Sequence, residues 1–231
     1  MAVHAQTGAG AATGAGSASR PLRADAERNR CAILDAAREV FAEQGLEAPL
    51  EEIALRAGVG IATLYRRFPA REQLVAAALV DKVAQYADAA REALAADDPW
   101  TGFAGYVHRI CELQADDRGL ADLLSMALPA GEQVEQLRAH AHDQLITLVG
   151  RAKAGGQLRP DFEVEDLLVL LIANASVVHV TGPEAPQAWR RFVALAIDSF
   201  RNSGGTDLPA APSAHQLSRA MQRLARERGC G

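Results

Sequence analysis

Aromatic residues are scarce, 5% of 231 positions, and cysteine is scarcer, with Cys31, Cys111 and Cys230 far apart and odd in number. That fits neither a disulfide framework nor a paired-thiolate metal site, so a reducing compartment and no metal are expected. Long apolar runs are also missing. The longest, 167–180, holds Asn174 and His179 and is too short and polar to span about 30 Å of hydrocarbon, so no membrane association is expected. The first 19 residues lack both a basic start and an apolar run, so they lack the parts of a secretory leader, and a cytoplasmic protein is expected. A basic excess is absent too: the net charge is −5, which taken as a whole points away from nucleic acid.

What is present is ordinary for a folded chain, 49% hydrophobic and 23% charged residues. Residues 1–19 are mostly Ala, Gly, Ser and Thr and read as a flexible arm; Gly8, Gly10, Gly14 and Gly16 follow no strand and do not make a phosphate loop. Glycine and proline clusters over 202–213 place the end of the folded body near Arg201. Everything between reads as helix, giving an all-α chain. A first helix is expected from about Asp25 to Gly45, with Ile33, Leu34, Ala37, Val40 and Phe41 on one face. Pro49 opens a short helix over 50–57, Gly58 supplies a left-handed turn, and Gly60 begins another short helix to Phe68. This is a helix-turn-helix. A long helix over 71–95 follows, carrying Leu74, Val75, Ala78, Leu79 and Val83 at intervals of three and four.

The stretch IALRAGVGIATLYRRFPAREQL, entered from VFAEQGLEA, resembles the DNA-binding head of the TetR family of bacterial transcriptional regulators. The resemblance covers 24–79 and rests on Ile53, Ala54, Ala57, Gly58, Val59, Thr63, Leu64, Tyr65, Phe68 and Arg71 at these intervals. Polarity agrees with it. Residues 54–71 contain Arg56, Arg66, Arg67 and Arg71 and no acid, whereas 20–82 sum to zero, 83–202 to −7 and the tail from 203 to +2. A duplex attracts such a basic edge and repels the acidic body, which orients the molecule.

The resemblance implies that 60–67 lies in the major groove. Gly60, Thr63 and Tyr65 then match positions near phosphates or base edges, Arg67 and Arg71 match phosphate-binding positions, and Ile61 and Ala62 face the bases. Arg66 contacts either guanine or phosphate. Two hydroxyls usual in the family are replaced here, by Pro49 and Gly60.

The remainder resembles the family's variable ligand-binding and dimerisation body, with a domain over 83–202 following the head at 20–82. Helices are expected around 100–113, 120–128, 134–154, up to 180, and over 187–201. The resemblance implies a small-molecule effector, with Phe103, Tyr106, Cys111, Leu123, Met126, Asn174, Ser176 and His179 as candidate lining residues, each equally readable as core. It also implies a homodimer, buried through the stripe Trp189, Phe192, Val193, Ile197 and Phe200. No catalytic constellation and no cofactor motif is visible, and His140 and His142 point to different sides of their helix. The expected activity is therefore that of a repressor released from a palindromic operator by its effector. The alternative is a helical dimer that sequesters a small molecule or partner protein without specific DNA binding. In 203–231, Ser213 and Gln216 have capping-box spacing, and a short amphipathic helix carrying Leu217, Met221 and Leu224 is expected to dock on the body.

Overall fold

The computed structural model describes residues 19–125, 131–204 and 208–228, so residues 1–18 of the expected arm, Met126 and Cys230 lie outside the described residues, and Ser19 opens the first helix. Among the described residues the chain is all-α, as expected: α1 (Ser19–Gln44), α2 (Leu50–Arg56), α3 (Ile61–Arg67), α4 (Arg71–Leu94), α5 (Pro99–Asp116), α6 (Arg118–Ser125), α7 (Gly131–Ala154), α8 (Val164–Thr181), a 3-10 turn (Gly182–Glu184), α9 (Ala188–Ser199) and α10 (Ala214–Arg228).

Local chemistry sets most of the boundaries. α1 starts before Asp25 because Pro21 falls in its first turn, where a missing N–H has no partner to lose. Asp98 caps α5 by accepting Thr101 N at 2.9 Å, with Pro99 next in line. α6 starts before Gly119 because Asp117 caps it, accepting Leu120 N at 2.9 Å. Burial raises the Asp117 carboxyl above its usual range, while the Leu120 N–H and Lys82 pull the other way. Glu163 and Asp166 form a reciprocal capping box on α8. Ser213 and Gln216 do the same for α10: Ser213 N reaches Gln216 Oε1 at 2.8 Å, and Gln216 N reaches Ser213 Oγ at 3.3 Å.

Two apolar clusters hold the helices together. The first centres on Ile33, Phe41, Ile53, Leu64, Leu74 and Leu79 of α1 to α4. It does not stop at the head, since Leu113 of α5, Leu120 and Leu123 of α6 and Val134 of α7 belong to it. The second joins α4, α5, α7, α8 and α9 around Phe103, Tyr106, Ile110, Leu148, Leu171 and Trp189. Its end is sealed where Leu158 and Arg201 form an isolated antiparallel bridge and the Arg201 guanidinium sits 4.4 Å from the Trp100 ring.

α8 extends beyond the apolar run 167–180 at both ends. By length and composition 164–184 is apolar enough to cross a membrane, with mean hydropathy 1.6. Its inner face instead packs on α5, α6 and α9. Only 22% of that segment is buried within one chain, which leaves an apolar outer face.

Candidate nucleic-acid interface and effector chamber

Between α2 and α3 the chain turns at Gly58, whose φ of +67° is strained for any residue with a Cβ. Val59 then plugs the first cluster. α3 buries Leu64 completely and leans Ile61 on the same cluster. The opposite side presents Ala62, Tyr65 and Arg66, which share one face at spacings of three and four. Tyr65 is 48% exposed. Gly60 is exposed at the N-cap without any side-chain cap, and Thr63 and Arg67 are half-buried at the flanks. Ile61 thus supports the helix from inside, whereas the resemblance placed it toward the bases.

The positive edge is narrower than a charge count suggests. Arg56 lies 2.9 Å from Glu43, 3.2 Å from Glu52 and 3.9 Å from Glu39, so three acids neutralise it; its hydrogen bond holds the Glu43 carboxyl below the usual range. Arg71 donates through Nη1 to the carbonyls of Leu46 at 2.7 Å and Ala48 at 2.9 Å. It therefore braces the α1–α2 turn, a task its sequence position does not reveal. Arg67 keeps its Nε buried without a hydrogen bond. Arg66 is exposed and, among the described residues, has no hydrogen-bond or ion-pair partner.

A cavity of about 340 Å³ opens between α4, α6, α7, α8 and α10. Its walls are chiefly apolar: Leu123 and Leu124 of α6, Leu145 of α7, and Leu167, Leu168 and Leu171 of α8. Tyr86 of α4 adds an aromatic ring, and Arg138, His142, Glu165 and Ser218 add polar groups. Of the candidate lining residues that are described, only Leu123 is on this wall. Tyr106 stands behind it, its ring 6.2 Å from Tyr86 and its hydroxyl pushed well above the usual phenol range by burial. Phe103 is core, 5.3 Å edge-on from Phe162. Cys111 is fully buried with its thiol pushed up to about 12 by desolvation, which makes it a small core residue.

Asn174 is buried between α5 and α8 and donates to Cys111 O at 3.2 Å and Gln114 Oε1 at 3.1 Å. Ser176 and His179 do not line the cavity; both are exposed on the outer face of α8. The wall residues missed in the sequence carry a readable signal, since Arg138, His142 and Leu145 follow each other at spacings of four and three on one face of α7.

The expected dimer stripe is likewise reassigned. Trp189 and Val193 are 4% and 0% exposed and belong to the second cluster. Phe192 and Ile197 pack half-buried on that cluster, and Phe200 stacks edge-on at 5.0 Å against Phe162. On α8 and α9 the apolar residues that do stand out are Val169, Ile172 and Val180 of α8 and Leu195 of α9. Among the described residues no group of histidine, cysteine or carboxylate side chains is placed to hold a metal.

A helix-turn-helix with an exposed reading face, carried on a helical body, defines the class of helix-turn-helix DNA-binding regulators. Residues 33–78 match the family described as bacterial regulatory proteins, tetR family, and 98–202 match the C-terminal domain of SbtR-like transcriptional regulators. The chain belongs to the TetR family and is a DNA-binding transcription regulator. It is 27% identical over 195 residues to the HTH-type transcriptional repressor KstR2 of Mycolicibacterium smegmatis, covering 75% of this chain and 91% of that one. It is 33% identical to the TetR regulator SCO0520 of Streptomyces coelicolor, covering 75% of this chain and 99% of that one, with a TM-score of 0.49. Its fold is also that of FadR of Bacillus subtilis, solved with stearoyl-CoA, at 19% identity, a TM-score of 0.55, and coverage of 77% and 100%.

Proposed function

We propose that the chain is a cytoplasmic repressor that binds a palindromic operator as a homodimer and is released when a small molecule enters the cavity. The observation that carries this reading is that α6 serves both ends. Leu123 and Leu124 wall the cavity, and Asp122, beside them, accepts the backbone N–H of Leu46 in the turn entering the helix-turn-helix at 3.0 Å. A ligand that shifts α6 therefore pulls on the head. Spacing between two recognition helices matters because they must enter successive major grooves, about 34 to 36 Å apart. A second copy over the outer faces of α8 and α9 would cover Val169, Ile172, Val180 and Leu195, which favours the dimer. The repressor KstR2, 27% identical, supports repression as the mode.

Footprinting on the DNA that flanks its own coding region tests the reading. The expected result is protection of two half-sites related by a two-fold axis. Affinity no greater than for random duplex at the same salt concentration would overturn it and favour sequestration without specific DNA binding.

A further inference from the structure

The C-terminal helix α10 lies beyond the part of the chain that matches the SbtR-like domain, which ends at residue 202. It reaches the cavity nonetheless. Ala214, Ser218 and Met221, at spacings of four and three, form one face of α10 and all line the hollow. Its start is fixed by the Ser213–Gln216 capping box. The chain leading to it is tied to the body at Leu208, whose backbone N–H reaches the Asp161 carboxylate that Arg159 also holds. With α10 in place the cavity still measures about 340 Å³, so the helix roofs the space and does not fill it.

The chemistry of the wall narrows the occupant. Arg138 spends Nη1 on Glu135 at 3.0 Å and Nη2 on the Leu123 carbonyl. The other charged group on the wall, Glu165, is opposite in sign. An anion entering among the leucines would lose its water and find the wall's one arginine already engaged and a carboxylate, Glu165, beside it. His142 and Ser218 remain to exchange hydrogen bonds with a neutral oxygen or nitrogen.

We propose that α10 is a built wall of the effector site and that the site takes a compact, largely apolar organic molecule that carries no negative charge and bears a hydroxyl, carbonyl or amine group. This rests on the cavity being the effector site. Leu217, Met221 and Leu224 of α10 are each half-buried, so a ligand that touches the inner face of the helix adds to their cover, and by reciprocity the helix adds to ligand affinity.

The probe is N-phenyl-1-naphthylamine, a neutral fluorophore, titrated into the full-length chain. One saturable site per chain is expected. Met221→Lys and Ser218→Trp should each weaken it at least about tenfold, with Arg219→Ala on the outer face of α10 as the unaffected control and melting curves to verify folding. The same rings with a sulfonate, 8-anilinonaphthalene-1-sulfonate, should bind at least about tenfold more weakly than the neutral probe. Loss in Leu168→Trp without loss in the two α10 variants overturns the wall while leaving the effector cavity standing. Unchanged binding in all three, or no saturable site in the parent chain, overturns the effector cavity itself and the wall with it. Tighter binding in Met221→Lys makes α10 a plug and overturns the wall, and equal or tighter binding of the sulfonate overturns the exclusion of anions.

Discussion

The Asp122 carboxylate accepts the backbone N–H of Leu46 at 3.0 Å, joining a helix of the cavity wall to the turn that positions the DNA-reading helices. The approach is close enough that a Cβ on Gly45, itself at φ +86°, would meet Asp122 Oδ2 at 2.4 Å. From the other side Arg71 holds the carbonyls of Leu46 and Ala48. The turn is therefore gripped by the body through α6 and by the start of α4.

Removing one side of that grip should cost stability. Asp122→Ala leaves the N–H of Leu46, a residue 1% exposed, without its partner, at about 1–3 kcal/mol. Urea denaturation of the variant checks this, and an unchanged midpoint and slope would remove the bond from any role in joining head to body.

Arg66 and Arg71 should part company in DNA binding. Arg66 is exposed and unpaired among the described residues, so Arg66→Ala should flatten the salt dependence of binding by about one unit with little change in melting temperature. Arg71→Ala instead frees two backbone carbonyls and should lower the melting temperature. Gel shifts at several salt concentrations, read beside melting curves, separate the two; identical behaviour in both measurements would refute the distinction.

The head was legible because a turn between two short helices needs particular residues: a glycine for positive φ at Gly58, small residues for close approach and an apolar plug at Val59. Capping chemistry gave α10 from Ser213 and Gln216 for the same reason, since it is local. Tertiary partners are not local. The stripe Trp189, Phe192, Val193, Ile197, Phe200 identifies an amphipathic helix, but periodicity does not say whether the covering surface is a second subunit or, as here, the chain's own α5, α8 and the Phe162 loop. Arg71 read as a phosphate ligand because a sequence shows its charge and not the carbonyls that wait for it. The outward position of Ser176 and His179 was within reach, because at about 100° per residue they lie roughly 200° and 140° around α8 from the buried Asn174.

Cys111 and Cys31 should differ sharply toward alkylation. Desolvation pushes the Cys111 thiol up to about 12, against about 9.0 for a thiol in water, while Cys31 is exposed on α1. The folded value lies above the unfolded one, so the stability gained by keeping this thiol neutral is complete below about pH 9 and is lost as pH rises through about 12. Mass spectrometry after iodoacetamide treatment at pH 8 should find Cys31 modified and Cys111 untouched until denaturant is added. Rapid modification of Cys111 in the folded chain would contradict its burial.

The outer faces of α8 and α9 should respond to charge differently from their inner faces. Ile172 and Leu195 are 37% and 59% exposed in a single chain, so Ile172→Glu and Leu195→Glu leave the monomer core intact. If these faces meet a second copy, each substitution places two like charges in an apolar contact, and the pair together should shift sedimentation at micromolar concentration from dimer to monomer with secondary structure retained. Trp189→Ala works on the other side of the same helix. It empties a site that is 4% exposed, beside His108 at 5.7 Å, and should cost about 3–5 kcal/mol of folding stability. Dimers that persist in the double charge variant while Trp189→Ala dissociates without unfolding would restore the inner stripe as the interface.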